Sequence, residues 1–226
     1  MKILIVSQYF WPEDFRINEI AIHLKKQGHQ VDVITGRPNY PEGHLFEEYK
    51  NNPSAYSSLN GINIYRIPNI LRKNATKIQL FFNYLSFVVN GIVLGTYKLR
   101  KRKYDVIFTF ATSPITVALV SIWLSKIKNA KHIMWVLDIW PNILKELNII
   151  KNQYILIIIN RIVKFIYKKT DLILAQSNSF IKLIQTQSEN IKIKYIPAWA
   201  EAILDKKYKI KKDKSDDLLL DETKFK

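Results

Sequence analysis

The stretch Met1–Gly28, MKILIVSQYFWPEDFRINEIAIHLKKQG, constrains the fold of this chain more than any other. Ile3, Leu4, Ile5 and Val6 form an apolar run too short for a helix and rich in β-branched side chains, as expected of a strand buried on both faces. Residues 7–14 follow as a polar and aromatic loop holding Pro12. Ile17, Ile20, Ala21 and Leu24 then recur at helical spacing until Gly28 supplies a stop. Such a β-loop-α unit opens an α/β sheet as a central parallel strand. Ligands in these sheets collect where loops leave the carboxyl ends of the strands, so residues 8–18 are the first candidate site wall.

The alternation continues along the chain. Strands are predicted at 30–36, 62–67, 104–110, 131–137, 171–175 and 193–196, and helices at 115–126, 154–169 and 178–187. Seven short strands with intervening helices or loops predict a doubly wound, mostly parallel, Rossmann-like sheet. Residues 37–61 hold three prolines and no clear period, a longer connection than compact domains usually carry, and therefore a functional or mobile flap. Residues 76–103 read as a helix whose apolar section approaches the roughly 20 residues that span a bilayer, diluted by Asn83, Ser86, Asn90, Gly91, Gly95 and Thr96. Two readings stand for it. One face packs on the sheet while the other, with the basic end Lys98–Lys103, lies on a membrane interface; or it is a core helix with a solvated charged end.

The length of 226 residues suits one large domain, expected over 1–203, followed by a charged tail over 204–226 in which lysines precede a run of acidic residues. A net charge of +16 calls for an anionic surroundings, either nucleic acid or an acidic membrane surface, unless the lysine excess is compositional drift. No interleaved basic and aromatic strand pattern occurs, so nucleic acid is not an expected partner. Without cysteine there is neither a disulfide framework nor a thiolate metal site. The first strand begins at residue 2 with no signal-like segment before it, which predicts a cytoplasmic chain.

SQYFWPE after the first strand, KKQGH at the helix end, QVDVITG and RPNYPEG, and later WVLDIWP and KYIPAWAE, resemble the amino-terminal domain of retaining family 4 glycosyltransferases of the GT-B fold, over about residues 1–201. Within that family the resemblance is to bacterial enzymes of O-antigen and capsule assembly, including fucosamine-transferase-like ones. It implies an acceptor-binding half that works with a carboxy-terminal donor domain, which this stretch of sequence does not reach, and no transfer by this half alone. It also implies a nucleotide-sugar as substrate (with the second domain only), a lipid-linked glycan acceptor, no cofactor, and a peripheral position on the inner face of the cell membrane. A non-catalytic membrane-associated subunit, or a truncated-gene remnant pairing with a separate donor domain, is the alternative expectation.

Asp138, in DIWP at the end of the strand 131–137, is the candidate catalytic carboxylate, where relatives carry an acidic residue or a histidine; it can orient or deprotonate an acceptor hydroxyl, or cap the following turn. Many GT-B enzymes place a glycine pair after the first strand, and this chain has Glu13, Asp14, Phe15, Arg16, Ile17 and Asn18 there instead. Glu13, Arg16 and Asn18 are accordingly candidate substrate-binding groups, helped by the helix amino terminus; the other reading is a solvated helix face with Glu13 or Asp14 as its cap. Arg37 and Tyr40 are expected at the acceptor entrance, Ser113 as a hydrogen-bond donor, Trp140 as a stacking ring or loop packing, and Glu201 near the interdomain cleft. No histidine has a paired ligand at metal spacing, so no metal site is expected.

Overall fold

A computed structural model describes residues 1–188 and 191–197 of the chain, and Met1–Ile196 forms one compact unit. Its strands are β1 (Lys2–Val6), β2 (Gln30–Gly36), β3 (Ser58–Leu59), β4 (Ile62–Ile67), β5 (Val106–Ala111), β6 (Lys131–Val136), β7 (Leu172–Ala175) and β8 (Ile193–Tyr195). Its helices are α1 (Ile17–Lys26), α2 (Glu47–Asn51), α3 (Lys77–Lys98), α4 (Val117–Lys128), α5 (Asn142–Glu146), α6 (Gln153–Lys168) and α7 (Asn178–Gln187). The sheet order is β3-β4-β2-β1-β5-β6-β7-β8, parallel throughout except for the antiparallel β3–β4 pair. The strand order reverses at β1, with Ile5 paired to Val33 of β2 on one side and to Phe108 of β5 on the other.

The apolar run of β1 is buried on both faces. Leu4 and Val6 join Ile34, Phe87, Val120 and Leu124 in a core beneath α3 and α4, while Ile3 and Ile5 join Ile17 and Ala21 of α1 on the opposite face. Helix α3 starts from a reciprocal capping box, in which Thr76 Oγ1 accepts the Gln79 N–H and Gln79 Oε1 accepts the Thr76 N–H, both at 3.3 Å. Its glycines admit its neighbours: a Cβ on Gly91 would sit 2.9 Å from Val120, and one on Gly95 would sit 2.8 Å from Ile34. By length and composition α3 could cross a membrane, yet it rests on α4 through Gly91 and on β2 through Gly95, and leaves Ile78, Phe81, Leu85, Val89, Val93 and Tyr97 exposed.

Three expectations are corrected. The sheet has eight strands, because β3 turns back through Asn60 and Gly61, both at positive φ, to pair with β4. Residues 37–61, expected as a flap without regular structure, hold α2 and a 3-10 turn at Pro53–Tyr56, with Tyr49 buried and Tyr56 5.0 Å from the Trp11 ring. Helix α3 ends at Lys98, so Arg100–Lys103 form the turn that leads into β5. The expected tail over 204–226 lies outside the described residues.

Candidate functional site

The carboxyl ends of β1 and β5 flank the reversal of strand order, with loops running to opposite sides; open α/β sheets hold their ligands at this position, the crevice. On the β5 and β6 side, Ser113 Oγ donates to Asp138 Oδ2 at 2.7 Å, and Trp140 Nε1–H donates to Ser113 Oγ at 3.2 Å. These three sequence-predicted residues therefore form one unit. Ser113 and Asp138 are half-buried, and Asp138 Oδ1 has no hydrogen-bond partner among the described residues. Trp140 differs from a stacking platform: it is 8% exposed and packs among Met134, Val136 and Ile139, so its contribution to the crevice is the indole N–H.

On the β1 and β2 side, Glu13 is 1% exposed and does not cap α1, whose N-cap is Arg16 without a side-chain cap bond. Its carboxylate instead clasps two loops. Oε1 accepts the backbone N–H groups of Asn39 (2.9 Å) and Tyr40 (2.8 Å), and Oε2 accepts that of Phe10 (3.2 Å). Burial pushes the Glu13 carboxyl up to about 7, against the pull of these three N–H groups and of Arg66. Asn18 is likewise occupied within the loop, accepting the Trp11 N–H at 2.9 Å and donating to the Glu13 carbonyl at 2.8 Å. Arg37 donates to the Asn69 carbonyl at 2.7 Å. Glu13, Asn18 and Arg37 thus shape the loops through bonds to main chain, and Arg16 stands half-buried at the start of α1.

Tyr40 reaches the surface of this wall. Its ring lies 5.3 Å from Tyr9 and 5.2 Å from Phe15, which stack on each other at 5.2 Å, and the Arg72 guanidinium sits 4.9 Å above it. Below the cluster, Arg66 donates to the carbonyls of Gly36 and Trp11, and burial lowers its pKa to about 10. Gln8 donates to Asn83 Oδ1 at 2.6 Å, and Asn83 donates to the Ile70 carbonyl, joining the β1 loop to α3. Sequence reasoning missed Tyr9, Phe15, Arg66 and Arg72. The aromatic density of SQYFWPEDF was a signal for the first two; Arg66 and Arg72 carried none.

The predicted Glu201 lies outside the described residues. Among the described residues no three His, Asp or Glu side chains gather as a metal site would require. His132 is buried, with Nε2 2.8 Å from Thr109 Oγ1, and burial lowers its pKa to about 4; it belongs to the core.

A doubly wound α/β domain with a polar crevice at its strand-order reversal is a frame shared by many nucleotide- and sugar-handling proteins. The chain belongs to glycosyltransferase family 4, which matches residues 16–199. Among solved structures, a sucrose-phosphate synthase from Thermosynechococcus elongatus is similar with a TM-score of 0.56 and 14% identity, covering 94% of this chain and 98% of that one. The glycotransferase of kitacinnamycin is similar with a TM-score of 0.52 and 11% identity, covering 89% of this chain and 52% of that one. This chain therefore spans about half the length of the second. At such identities the likeness concerns the fold, which agrees with the Rossmann-like half of a GT-B architecture. No curated protein matches the chain.

Proposed function

We propose that this domain is the acceptor-binding half of a glycosyltransferase that moves a sugar from a nucleotide-sugar to a lipid-linked glycan, in O-antigen- or capsule-type polysaccharide assembly. The observation that carries the reading is the Ser113–Asp138 pair in the crevice. Ser113 holds one carboxylate oxygen, leaving Oδ1 to receive an acceptor hydroxyl and align its oxygen toward the donor's anomeric carbon. The bond from that carbon to the departing nucleoside diphosphate breaks as the new glycosidic bond forms, and the acceptor hydroxyl's proton passes to Asp138 Oδ1. The nucleotide-sugar is a substrate held mainly by a partner donor domain. Tyr40, backed by Tyr9, Phe15 and Arg72, gives the aromatic and cationic surface on which a sugar ring or its phosphate rests.

The exposed apolar face of α3, followed by Arg100–Lys103, suits the inner face of an anionic cell membrane, where a lipid-linked acceptor resides. Vesicles with and without a polyprenyl-diphosphate-linked glycan provide the test, read by co-sedimentation with the purified chain. The glycan is expected to strengthen binding, and Asp138→Asn is expected to remove that increment while leaving binding to plain anionic vesicles intact. A Phe81→Ser, Val93→Ser variant should lose the plain-vesicle binding instead. If the glycan adds nothing to wild-type binding, the acceptor reading is wrong.

A further inference from the structure

A cavity of about 450 Å³ opens at the amino edge of the sheet, at the other end of the strands from the crevice. Five cationic side chains line it: Lys2 from the start of β1, Lys25 from the end of α1, and Lys101, Arg102 and Lys103 from the turn between α3 and β5. The carboxylate that shares this lining, Asp32 of β2, is 8% exposed and already engaged. Its Oδ1 accepts the Asn63 amide N–H and its Oδ2 the Tyr104 hydroxyl, each at 2.7 Å. Arg102 also interacts with Asp32 and with Tyr65. The ion pairs among the described residues, Lys50–Glu47 and Lys131–Asp171, involve none of the five cations.

Five cations thus outnumber the carboxylates near them, Asp32 in the lining and Asp105, whose Oδ2 accepts the Lys2 backbone N–H at 2.7 Å. Like charges around a hollow with protein walls repel one another and focus a positive potential inside it, which an anion relieves. An arginine fork and several ammonium groups together match the three or more oxygens of a phosphate better than a single carboxylate. The cations converge from three segments on a hollow; they do not run in the stripe that a nucleic-acid backbone follows. We infer that this cavity is a phosphate-binding site, separate from the acceptor crevice, for a small phosphate-bearing anion, whether a lipid headgroup or a free phosphate compound. The inference does not depend on the Ser113–Asp138 crevice, to which none of its residues belongs; Lys101–Lys103 are shared with the basic turn assigned to the membrane, and the vesicle arm of the test separates the two.

Inorganic phosphate titrated into the purified chain at constant ionic strength, with thermal unfolding as readout, tests it. Phosphate is expected to raise Tm in a saturable way that chloride does not reproduce. A Lys101→Ser, Arg102→Ser, Lys103→Ser variant should bind phosphate about tenfold more weakly or worse. A control with the same charge loss elsewhere, Lys164→Ser, Lys168→Ser, Lys192→Ser, should keep the wild-type shift. Lys25→Ser, on a separate element, repeats the test should the triple turn variant fold poorly. Displacement of phosphate by phosphatidylglycerol vesicles, and not by phosphatidylcholine vesicles, assigns the site to a headgroup; phosphate binding without such displacement assigns it to a free compound, and both uphold the site. Absence of a phosphate-specific shift, its survival in both cavity variants, or its equal loss in the control overturns the inference.

Discussion

Glu13→Gln is the perturbation whose outcome follows most directly from the structure. The wild-type carboxyl is buried, and it titrates near 4.5 when exposed but near 7 in the fold. Between those values the folded state holds a proton that the unfolded state has released, so stability falls as pH rises through this window. The contribution is fully present below pH 4.5 and gone above about 7. A displacement of this size is worth roughly 3 kcal/mol in all, at about 1.4 kcal/mol per pH unit. His132 acts the other way: its pKa drops from 6.5 to about 4, so stability falls as pH decreases through that range. The two slopes overlap and largely hide each other in the wild type alone. A difference between wild type and Glu13→Gln isolates Glu13, since His132 is common to both. Urea unfolding followed by tryptophan fluorescence at pH 4.5 and pH 8 measures it. The stability of wild type relative to the variant should fall by about 3 kcal/mol between those pH values. A difference that is flat, or that grows with pH, would refute the reasoning. It would mean that the N–H groups of Phe10, Asn39 and Tyr40, with Arg66, outweigh burial and keep the carboxyl at its ordinary value.

Two further predictions concern packing and the crevice. Gly91→Ala should destabilise the fold by about 1–3 kcal/mol, because the new methyl meets both γ-carbons of the β-branched Val120, at 2.9 and 3.1 Å. Gly95→Ala should cost less, since it meets the rotatable end of Ile34; urea midpoints of the two variants decide the order. Ser113→Ala removes the donor to Asp138 and leaves the buried Trp140 N–H without its acceptor, so it should cost about 1–2 kcal/mol and weaken glycan-dependent vesicle binding. Unchanged glycan dependence in that variant would detach Ser113 from acceptor binding.

The order of the main strands and of α1, α4, α6 and α7 was legible from short apolar runs alternating with helically spaced ones; the short β3, α2 and α5 carried no such period. The β3–β4 hairpin was also written in the sequence, as Asn60–Gly61, a dipeptide suited to the positive φ both residues adopt. It was overlooked because the proline-rich stretch before it shows no period. The crevice position of Asp138 followed from strand-end reasoning, but its pairing with Ser113 joins residues 25 apart and needs the β5–β6 register. Glu13 was read as a substrate-binding group or a helix cap, and its role in clasping the loops went unseen, since its partners Asn39 and Tyr40 lie 26 and 27 residues downstream. Trp140 was left open between stacking and loop packing because a loop position beside proline says nothing of which way a ring turns; the buried ring decides for packing.

The reversal of strand order at β1 also divides the crevice by ancestry of its parts. The aromatic and arginine wall hangs from β1, β2 and the segment after β4, whereas Ser113 and Asp138 hang from β5 and β6. Substitutions that reshape one bank leave the backbone supports of the other in place. Under the proposed acceptor-binding role, acceptor preference can therefore be redesigned by exchanging loops on one bank while Asp138 stays where it is.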